Sequence, residues 1–279
     1  MQRDAALLSV PRRDPQIGPV IACALGRLFS ARVAGALRSY AEVGVLSSFA
    51  ELRLHLQTSV VDYGAIVLPP RDSAGVEALT IVREISVQRP RTAVLIHIVP
   101  DERGAPDLRT LALAGAHQFV FAGIDDVGVA FRTVLDKARH QCAAECVMRE
   151  LESDVPEKLH PVLEIALNRQ DSATNVRALA SAVGIRRTTL AHWCARERFL
   201  VPEEFLTWAR LALVAYYLEW TGCTIEAIAQ ELSYPSDTAL RNTVKRYLGR
   251  RASELRSAGG LKFVVERFRA RVRSRFGQT

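Results

Sequence analysis

The chain has 279 residues, a formal net charge of +7 and 49% hydrophobic residues, enough for two domains with packed cores. Its five cysteines are odd in number and lie mostly among apolar neighbours, which favours a reduced cytoplasmic protein over a disulfide framework. The charged N-terminus has no apolar signal region. The longest apolar run, 17–25, is interrupted by Gly18-Pro19 and is too short to span a bilayer, so we expect no membrane segment.

The basic excess is confined to the C-terminal part of the chain. Residues 1–170 contain 19 Lys/Arg against 20 Asp/Glu. Residues 171–257 contain 12 against 9, and residues 258–279 contain 6 against 1. This asymmetry predicts that the C-terminal end meets a polyanion, while the N-terminal domain has another task.

After a polar leader over 1–16, residues 17–140 alternate short apolar strands with amphipathic helices. Continuous apolar runs such as AVLIHIV are typical of parallel strands covered by helices on both faces. Five such units predict a small α/β domain with a doubly wound parallel sheet. The predicted strands are Val20–Leu25, Glu42–Leu46, Gly64–Pro69, Thr92–Val99 and Gln118–Phe121. The predicted helices are Leu28–Ser39, Phe49–Gln57, Gly75–Gln88, Pro106–Ala114 and Asp125–His140.

In size and order of units this half resembles a response-regulator receiver domain, which has a flavodoxin-like fold. A receiver has paired acids after strand one and a phospho-accepting aspartate at the end of strand three. This chain has Ala24-Leu25-Gly26 and Leu68-Pro69-Pro70 there. The Ser/Thr and Lys expected at the ends of strands four and five are also missing, and Asp72 lies past the third strand. The resemblance therefore implies a pseudo-receiver that is not switched by aspartyl phosphorylation.

The sequence predicts no catalytic, cofactor or metal site. Cys23 and His97 lie near the carboxyl ends of predicted strands and Asp72 lies just past one, which is where such folds bind ligands. We favour a packed cysteine, a solvated aspartate and a histidine at a loop edge. Cys142 and Cys146 share one helix face, but without further ligands they make a poor zinc site.

A helical linker is predicted over 141–171. The helix from Asp125 runs on to Leu151, breaks at Ser153–Pro156, and is followed by a second helix over Glu157–Asn168. The apolar stripe on this linker either pairs with its twin in a homodimer or packs on its own domain. The sequence leaves both possibilities open.

Residues 172–257 contain two helix–turn–helix patterns, and this part of the chain is predicted to be all-α. The first is NVRALASAVGIRRTTLAHWCARERF, 175–199, and the second is TIEAIAQELSYPSDTALRNTVKRYLG, 224–249. In each, the second helix keeps a few apolar anchors and exposes polar and basic side chains, which is typical of a helix for the DNA major groove. A helix over Glu203–Trp220 is apolar on two sides, so we expect it to be buried between them.

The stretches LASAVGIRRTTLAHW, VPEEFLTWARLALVAYYL and IEAIAQELSYPSDTALRNTVKRYLGRRASELR resemble the C-terminal domain of AraC/XylS-type transcription regulators. Ser233 and Phe199 stand where that family usually has glycines, and Ala252 stands where it has a proline. The resemblance implies double-stranded DNA as a partner, together with RNA polymerase.

Thirteen residues are predicted to contact DNA. Ile185, Leu190 and Cys194 in the first reading helix have the spacing that packs inward, as do Leu240, Val244 and Leu248 in the second, which leaves the other faces for DNA. The resemblance assigns base reading to Thr188, Ala191 and His192, and an asparagine such as Asn242 reads adenine. The predicted contacts are Arg186, Arg187, Thr188, Ala191, His192, Arg196, Asp237, Thr238, Arg241, Asn242, Lys245, Arg246 and Arg250.

The tail over 258–279 has a Gly259-Gly260 breaker near its start, and after it an apolar stripe flanked by five arginines. We expect an amphipathic helix that docks on the domain and adds phosphate contacts. The sequence thus predicts a cytoplasmic, sequence-specific transcription regulator, not an enzyme, with an N-terminal domain for dimerisation or sensing. Two alternatives remain: a protein-interaction adaptor that keeps the helix–turn–helix scaffold, and a regulator whose α/β domain binds a small molecule.

Overall fold

The computed structural model describes residues 18–100, 107–168, 175–220 and 223–276. The chain divides into two compact units, Met1–Cys142 and Ala143–Thr279. The predicted leader over 1–16 lies outside the described residues. No helix among the described residues is both long and apolar enough to cross a membrane.

The first unit contains a five-stranded parallel sheet in the order β2-β1-β3-β4-β5, which confirms the doubly wound α/β prediction. Helices cover both faces, so the three central strands are buried throughout. The predicted strands were too long by one or two residues at most ends. The observed strands are β1 Val20–Cys23, β2 Val43–Leu46, β3 Ala65–Leu68, β4 Ala93–Ile98 and β5 Gln118–Phe121.

Five helices alternate with these strands. α3 begins three residues later than predicted, because a short antiparallel bridge pairs Arg71 with Glu77 ahead of it. The beginning of the predicted fourth helix, Pro106, lies outside the described residues. The observed helices are α1 Arg27–Leu37, α2 Phe49–Thr58, α3 Ala78–Gln88, α4 Leu108–Leu113 and α5 Gly128–Leu151.

Asp72 organises the loop after β3, and its prediction as a solvated residue was wrong. Its carboxylate accepts hydrogen bonds from the backbone N–H groups of Ala74 at 3.0 Å, Val76 at 2.9 Å and Phe49 at 3.3 Å. The bond from Val76 is the largest contribution that lowers the pKa of Asp72. The loop therefore uses this carboxylate as a backbone cap that also fixes the start of α2.

Cys23 ends β1 and is packed, as predicted. Its thiol donates to the carbonyl oxygen of Ser48 at 3.3 Å, and burial raises its pKa to about 12. A thiol with so high a pKa stays protonated at neutral pH and is a weak nucleophile.

His97 lies inside β4 and is 5% exposed, so its prediction as a loop-edge residue was wrong. Its ring stacks on Phe29, with 3.5 Å between the ring centroids, and its Nε2 atom has no hydrogen-bond partner among the described residues. Burial lowers the pKa of His97 to about 4, against a smaller opposite effect of Asp126. His97 is therefore neutral in the folded protein at pH 7.

The low pKa of His97 makes the first unit less stable in acid. Below pH about 6.5 the unfolded chain protonates this histidine while the folded chain does not, so the free energy of unfolding falls as the pH drops from about 6.5 to about 4. The expected loss is about 2–3 kcal/mol. Urea unfolding of wild type and His97→Gln, followed by circular dichroism between pH 7 and 4.5, measures it.

The variant should lose most of that pH dependence. Tryptophan fluorescence provides an internal control, because Trp193, Trp208 and Trp220 all belong to the second unit. Equal pH dependence of the circular dichroism transition in the two proteins would contradict the assignment to His97.

The second unit is built around one long helix, α9, which spans Pro202–Trp220. Thirteen of its nineteen residues are buried. Helices α6 and α12 pack along it, as do α7 and α8 of the first helix–turn–helix pattern and α10 of the second, and Tyr247 of α11 contacts the ring of Trp208. The helices after α5 are α6 His160–Asn168, α7 Val176–Ala182, α8 Arg187–Arg196, α9 Pro202–Trp220, α10 Ile225–Glu231, α11 Asp237–Leu248 and α12 Gly260–Phe276.

Most of the predicted linker packs inside this unit. Residues 143–151 complete α5, and two short 3-10 turns, Glu152–Asp154 and Glu157–Leu159, lead to α6. The apolar stripe of α6 is buried against its own chain, with α9 as its main neighbour. The sequence left open whether this stripe packs in a homodimer or on its own domain. For α6, it packs on its own domain.

The tail forms the expected amphipathic helix, α12. Val264, Val265, Phe268 and Val272 are buried, and Phe268 contacts the ring of Trp208 on α9 at 6.0 Å between centroids. Three of the arginines on α12 make ion pairs inside the unit: Arg269 Nε with Asp154 Oδ2 at 2.6 Å, Arg271 Nε with Glu204 Oε1 at 2.5 Å, and Arg275 Nη1 with Glu204 Oε2 at 3.9 Å.

Candidate nucleic-acid interface

The first candidate reading helix is α8. Asn175 caps the preceding helix α7 by accepting the N–H of Ala178 at 2.9 Å. Leu190 and Cys194 are buried as predicted, and Ile185 is half-buried. Burial raises the pKa of the Cys194 thiol to about 11, so it is a packing residue. The opposite face of α8 is left exposed.

The second candidate reading helix is α11. Ser236 caps it by accepting the N–H of Ala239 at 3.1 Å, and Gly249 ends it in the left-handed conformation. Leu240, Val244 and Leu248 are buried as predicted. The apolar anchors therefore recur every four residues, and most of the polar and basic residues of the helix are exposed.

Twelve of the thirteen predicted contact residues are exposed, and the half-buried Asp237 is the exception. The first group lies on or beside α8, and the second group lies on α11 or just past its end. The first group is Arg186, Arg187, Thr188, Ala191, His192 and Arg196, and the second is Asp237, Thr238, Arg241, Asn242, Lys245, Arg246 and Arg250.

Asp237 makes contacts within its own helix. Its carboxylate accepts from Arg241 Nε at 3.3 Å and from the Thr238 hydroxyl at 3.3 Å. The bond from Arg241 is the main cause that lowers the pKa of Asp237. Asp237 thereby orients the side chain of Arg241 on the exposed face.

At the start of α8, Arg187 makes an ion pair with Glu203 of α9 at 2.8 Å, and both side chains are more than half exposed. Exposed pairs of this kind contribute about 1 kcal/mol or less. Arg187 therefore exchanges this carboxylate for another anion at little cost.

Both helix–turn–helix turns need one residue in the left-handed conformation. In the first turn this is Gly184, with φ 79°, and in the second it is Ser233, with φ 53°. A third left-handed residue, Arg198, precedes Phe199. Phe199 itself is buried against Phe205, so the position where a glycine was expected carries a packing residue.

α9 sets the separation of the two readers. Its nineteen residues span about 28 Å at 1.5 Å per residue. Successive major grooves on one side of a duplex are about 34 Å apart. Because α9 is buried between the two motifs, both readers belong to one packed unit.

The sequence did not point to a cleft between the two motifs, with a volume of about 390 Å³. Arg177 of α7 and Arg210 of α9 line it beside the predicted contacts Arg187 and Arg246. A basic residue on the first helix of a motif gives no periodic signal, so only the fold brings these side chains together.

Among the described residues, no three His, Cys, Asp or Glu side chains group closely enough to hold a metal ion.

Comparison with known families identifies this part of the chain. Residues 179–258 match the family model described as "Helix-turn-helix domain". This region is an AraC-type helix–turn–helix domain. The match begins within α7 and covers the rest of both motifs and α9, so the AraC-type domain contains both candidate reading helices. No curated protein sequence matches the chain.

Three solved structures are similar to the chain at low identity. An adenylate cyclase from Rhodopirellula baltica is 12% identical, over 50% of this chain and 99% of that one, with a TM-score of 0.40. A response regulator receiver domain protein from Clostridium thermocellum is 18% identical, over 45% and 95%, with a TM-score of 0.37. The response regulator StyR is 14% identical, over 83% and 100%, with a TM-score of 0.37.

The two left-handed turn residues give a matched pair of substitutions in the AraC-type domain. A Cβ at Gly184 would meet no atom within 4 Å, so Gly184→Ala adds only backbone strain. We expect it to lower the free energy of unfolding by about 1 kcal/mol. Ser233→Gly removes the same strain from the second turn and should raise that free energy by up to about 1 kcal/mol.

Urea unfolding followed by tryptophan fluorescence measures both variants. Opposite signs are expected because the two turns have the same conformation and carry different residues. A loss of stability in Ser233→Gly would contradict the assignment of strain to Ser233.

Proposed function

We propose that the protein is a sequence-specific DNA-binding transcription regulator that works in the cytoplasm. Helix–turn–helix domains of the AraC type are DNA-binding modules of transcription regulators. The observation that carries the proposal is the pair of exposed faces on α8 and α11, held at a fixed separation by the buried helix α9. One chain would place both faces in successive major grooves, with some bending of the duplex.

Within this proposal the thirteen exposed or half-buried residues on or beside α8 and α11 contact either base edges or phosphates. Thr188, Ala191, His192, Thr238 and Asn242 face base edges and determine sequence preference. Arg187, Lys245, Arg246 and Arg250 position the protein on phosphates without specifying sequence. RNA polymerase is the expected protein partner. A homodimer formed through the first unit and α5 would supply the remaining half-site contacts. Catalysis is not part of this function.

We further propose that the first unit senses a partner or effector and is not switched by aspartyl phosphorylation. Two observations support this. The end of β3 is Leu68 followed by two prolines, so no carboxylate stands at the acceptor position. The carboxylate of Asp72, farther along the loop, is already occupied by three backbone N–H groups.

Selection of bound duplexes from random DNA with the full chain tests DNA reading. Asn242→Ala should lose about 1–3 kcal/mol against the selected site and relax preference at one base pair. Lys245→Ala, less than one turn further on the same helix, should weaken all duplexes alike and reduce the salt slope by about one. The Lys245→Ala variant thus controls for any general weakening caused by α11.

Failure to enrich any motif would contradict sequence-specific binding. A motif that survives Asn242→Ala unchanged would favour the adaptor alternative, in which the scaffold is retained without base reading.

The absence of phosphorylation is tested with radiolabelled acetyl phosphate and with beryllofluoride. We expect no label on the protein and a change of less than about twofold in DNA affinity, because no acidic residue occupies the acceptor position. A conventional receiver domain in the same reaction is the positive control. Label that disappears in Asp72→Asn would identify Asp72 as an acceptor and contradict this part of the proposal.

A further inference from the structure

The cleft between the two helix–turn–helix motifs has a strongly basic lining. Four arginines face it, and Glu203 is its one acidic residue among the described lining residues. Asparagine and threonine side chains add neutral hydrogen-bonding groups. A concave surface with this excess of guanidinium groups attracts an anion. The four arginines are Arg177, Arg187, Arg210 and Arg246.

The four arginines differ in how they are held. Arg187 is paired with Glu203 at 2.8 Å. Arg210 donates to the carbonyl oxygen of Leu232 and lies over the ring of Tyr234, 4.1 Å from its centroid. These contacts fix Arg210 before any ligand arrives, so little side-chain entropy is lost on binding.

The other two arginines are available for a ligand. Arg177 is exposed on α7, and Arg246 lies over Tyr247 at 5.0 Å from the ring centroid. Neither has a carboxylate partner among the described residues. The cleft thus combines one fixed guanidinium group on its floor with two adjustable ones at its sides.

The position of the cleft indicates which anion it meets. Arg187 is the first residue of α8, and Arg246 lies one turn after Asn242 on α11, so the cleft opens between the two candidate reading faces. Between two successive major grooves, the same side of a duplex presents the minor groove and the phosphates beside it. A duplex held by both readers therefore brings backbone phosphates over this cleft.

We propose that the cleft binds a phosphodiester group of the DNA backbone between the two major grooves. This rests on the proposed function. Arg177 and Arg210, which the sequence did not suggest, become phosphate ligands together with Arg246. Their contact is independent of base sequence and fixes the register of both readers on the duplex.

The test uses the full chain and a duplex that contains its selected site. Each phosphate between the two grooves is replaced in turn by a neutral methylphosphonate. At one or two positions we expect wild-type affinity to fall by about tenfold, the size of a lost charge-assisted hydrogen bond. Arg177→Gln should show a smaller loss than the wild type at those same positions, because one of the three guanidinium ligands of that phosphate is already missing.

Salt dependence provides a second measurement that needs no selected site. For Arg177→Gln the magnitude of the slope of log K against log salt should decrease by up to about 0.9, the value for one lost phosphate contact, because Arg210 and Arg246 remain. The matched control is Arg109→Gln, which removes the same charge from an exposed position on α4 in the first unit. Its slope should equal that of the wild type, and circular dichroism, which reports on both units, checks that both variants are folded.

The outcomes separate the two proposals. If a motif is selected but Arg177→Gln behaves like Arg109→Gln, the cleft assignment is overturned and the proposed function stands. If no duplex is bound, both are overturned. Titration with inorganic phosphate tests whether the cleft binds free phosphate instead of a phosphate of the DNA backbone. Binding that Arg177→Gln abolishes, with an unchanged DNA slope, would make this a site for free phosphate and overturn the backbone assignment.

Discussion

The burial of α9 is the constraint on which the second unit depends. A helix that is apolar nearly all round cannot be left in water, and both helix–turn–helix motifs, together with α6 and α12, cover it. The same burial makes the spacing of the two exposed faces a property of one rigid helix instead of a flexible connection. The cleft is a second result of this arrangement, because its floor is the polar edge of α9 at Glu203, Thr207 and Arg210.

The elements that follow local periodicity were predictable from the sequence. The apolar strands, the inward anchors of α8 and α11, and the turn at Ser233 all depend on residues within about a dozen positions of one another. Side-chain roles that depend on how a loop folds or where a strand ends were harder to predict from the sequence. Asp72 looked like a surface residue because two of its backbone partners lie in its own loop and the third begins α2, and the sequence does not specify how that loop folds back on α2. His97 was placed at a loop edge although β4 continues through it.

The sequence predicted the exposed faces of α8 and α11 at the candidate site. It did not predict the contacts between residues that are distant in the chain. The exposed faces follow from subtracting the buried anchors from each helix. The pairing of Arg187 with Glu203 joins positions sixteen residues apart, and the contact of Arg210 with Leu232 joins positions twenty-two apart. Neither pairing has a periodic signature. A residue such as Arg177 therefore appears in the sequence as an ordinary solvated charge, and only the packed unit places it beside other guanidinium groups.

The region that carries the family resemblance is shorter than the region that packs together. Residues 179–258 leave out α6, whose buried side chains lie against α9, and α12, whose Phe268 and Val272 cover another side of it. A fragment cut at the family boundaries would therefore expose the apolar surface of α9 and tend to aggregate. Dissection of this protein should keep residues from about the end of α5 through α12, so that the AraC-type domain is produced with the two helices that cover its central helix.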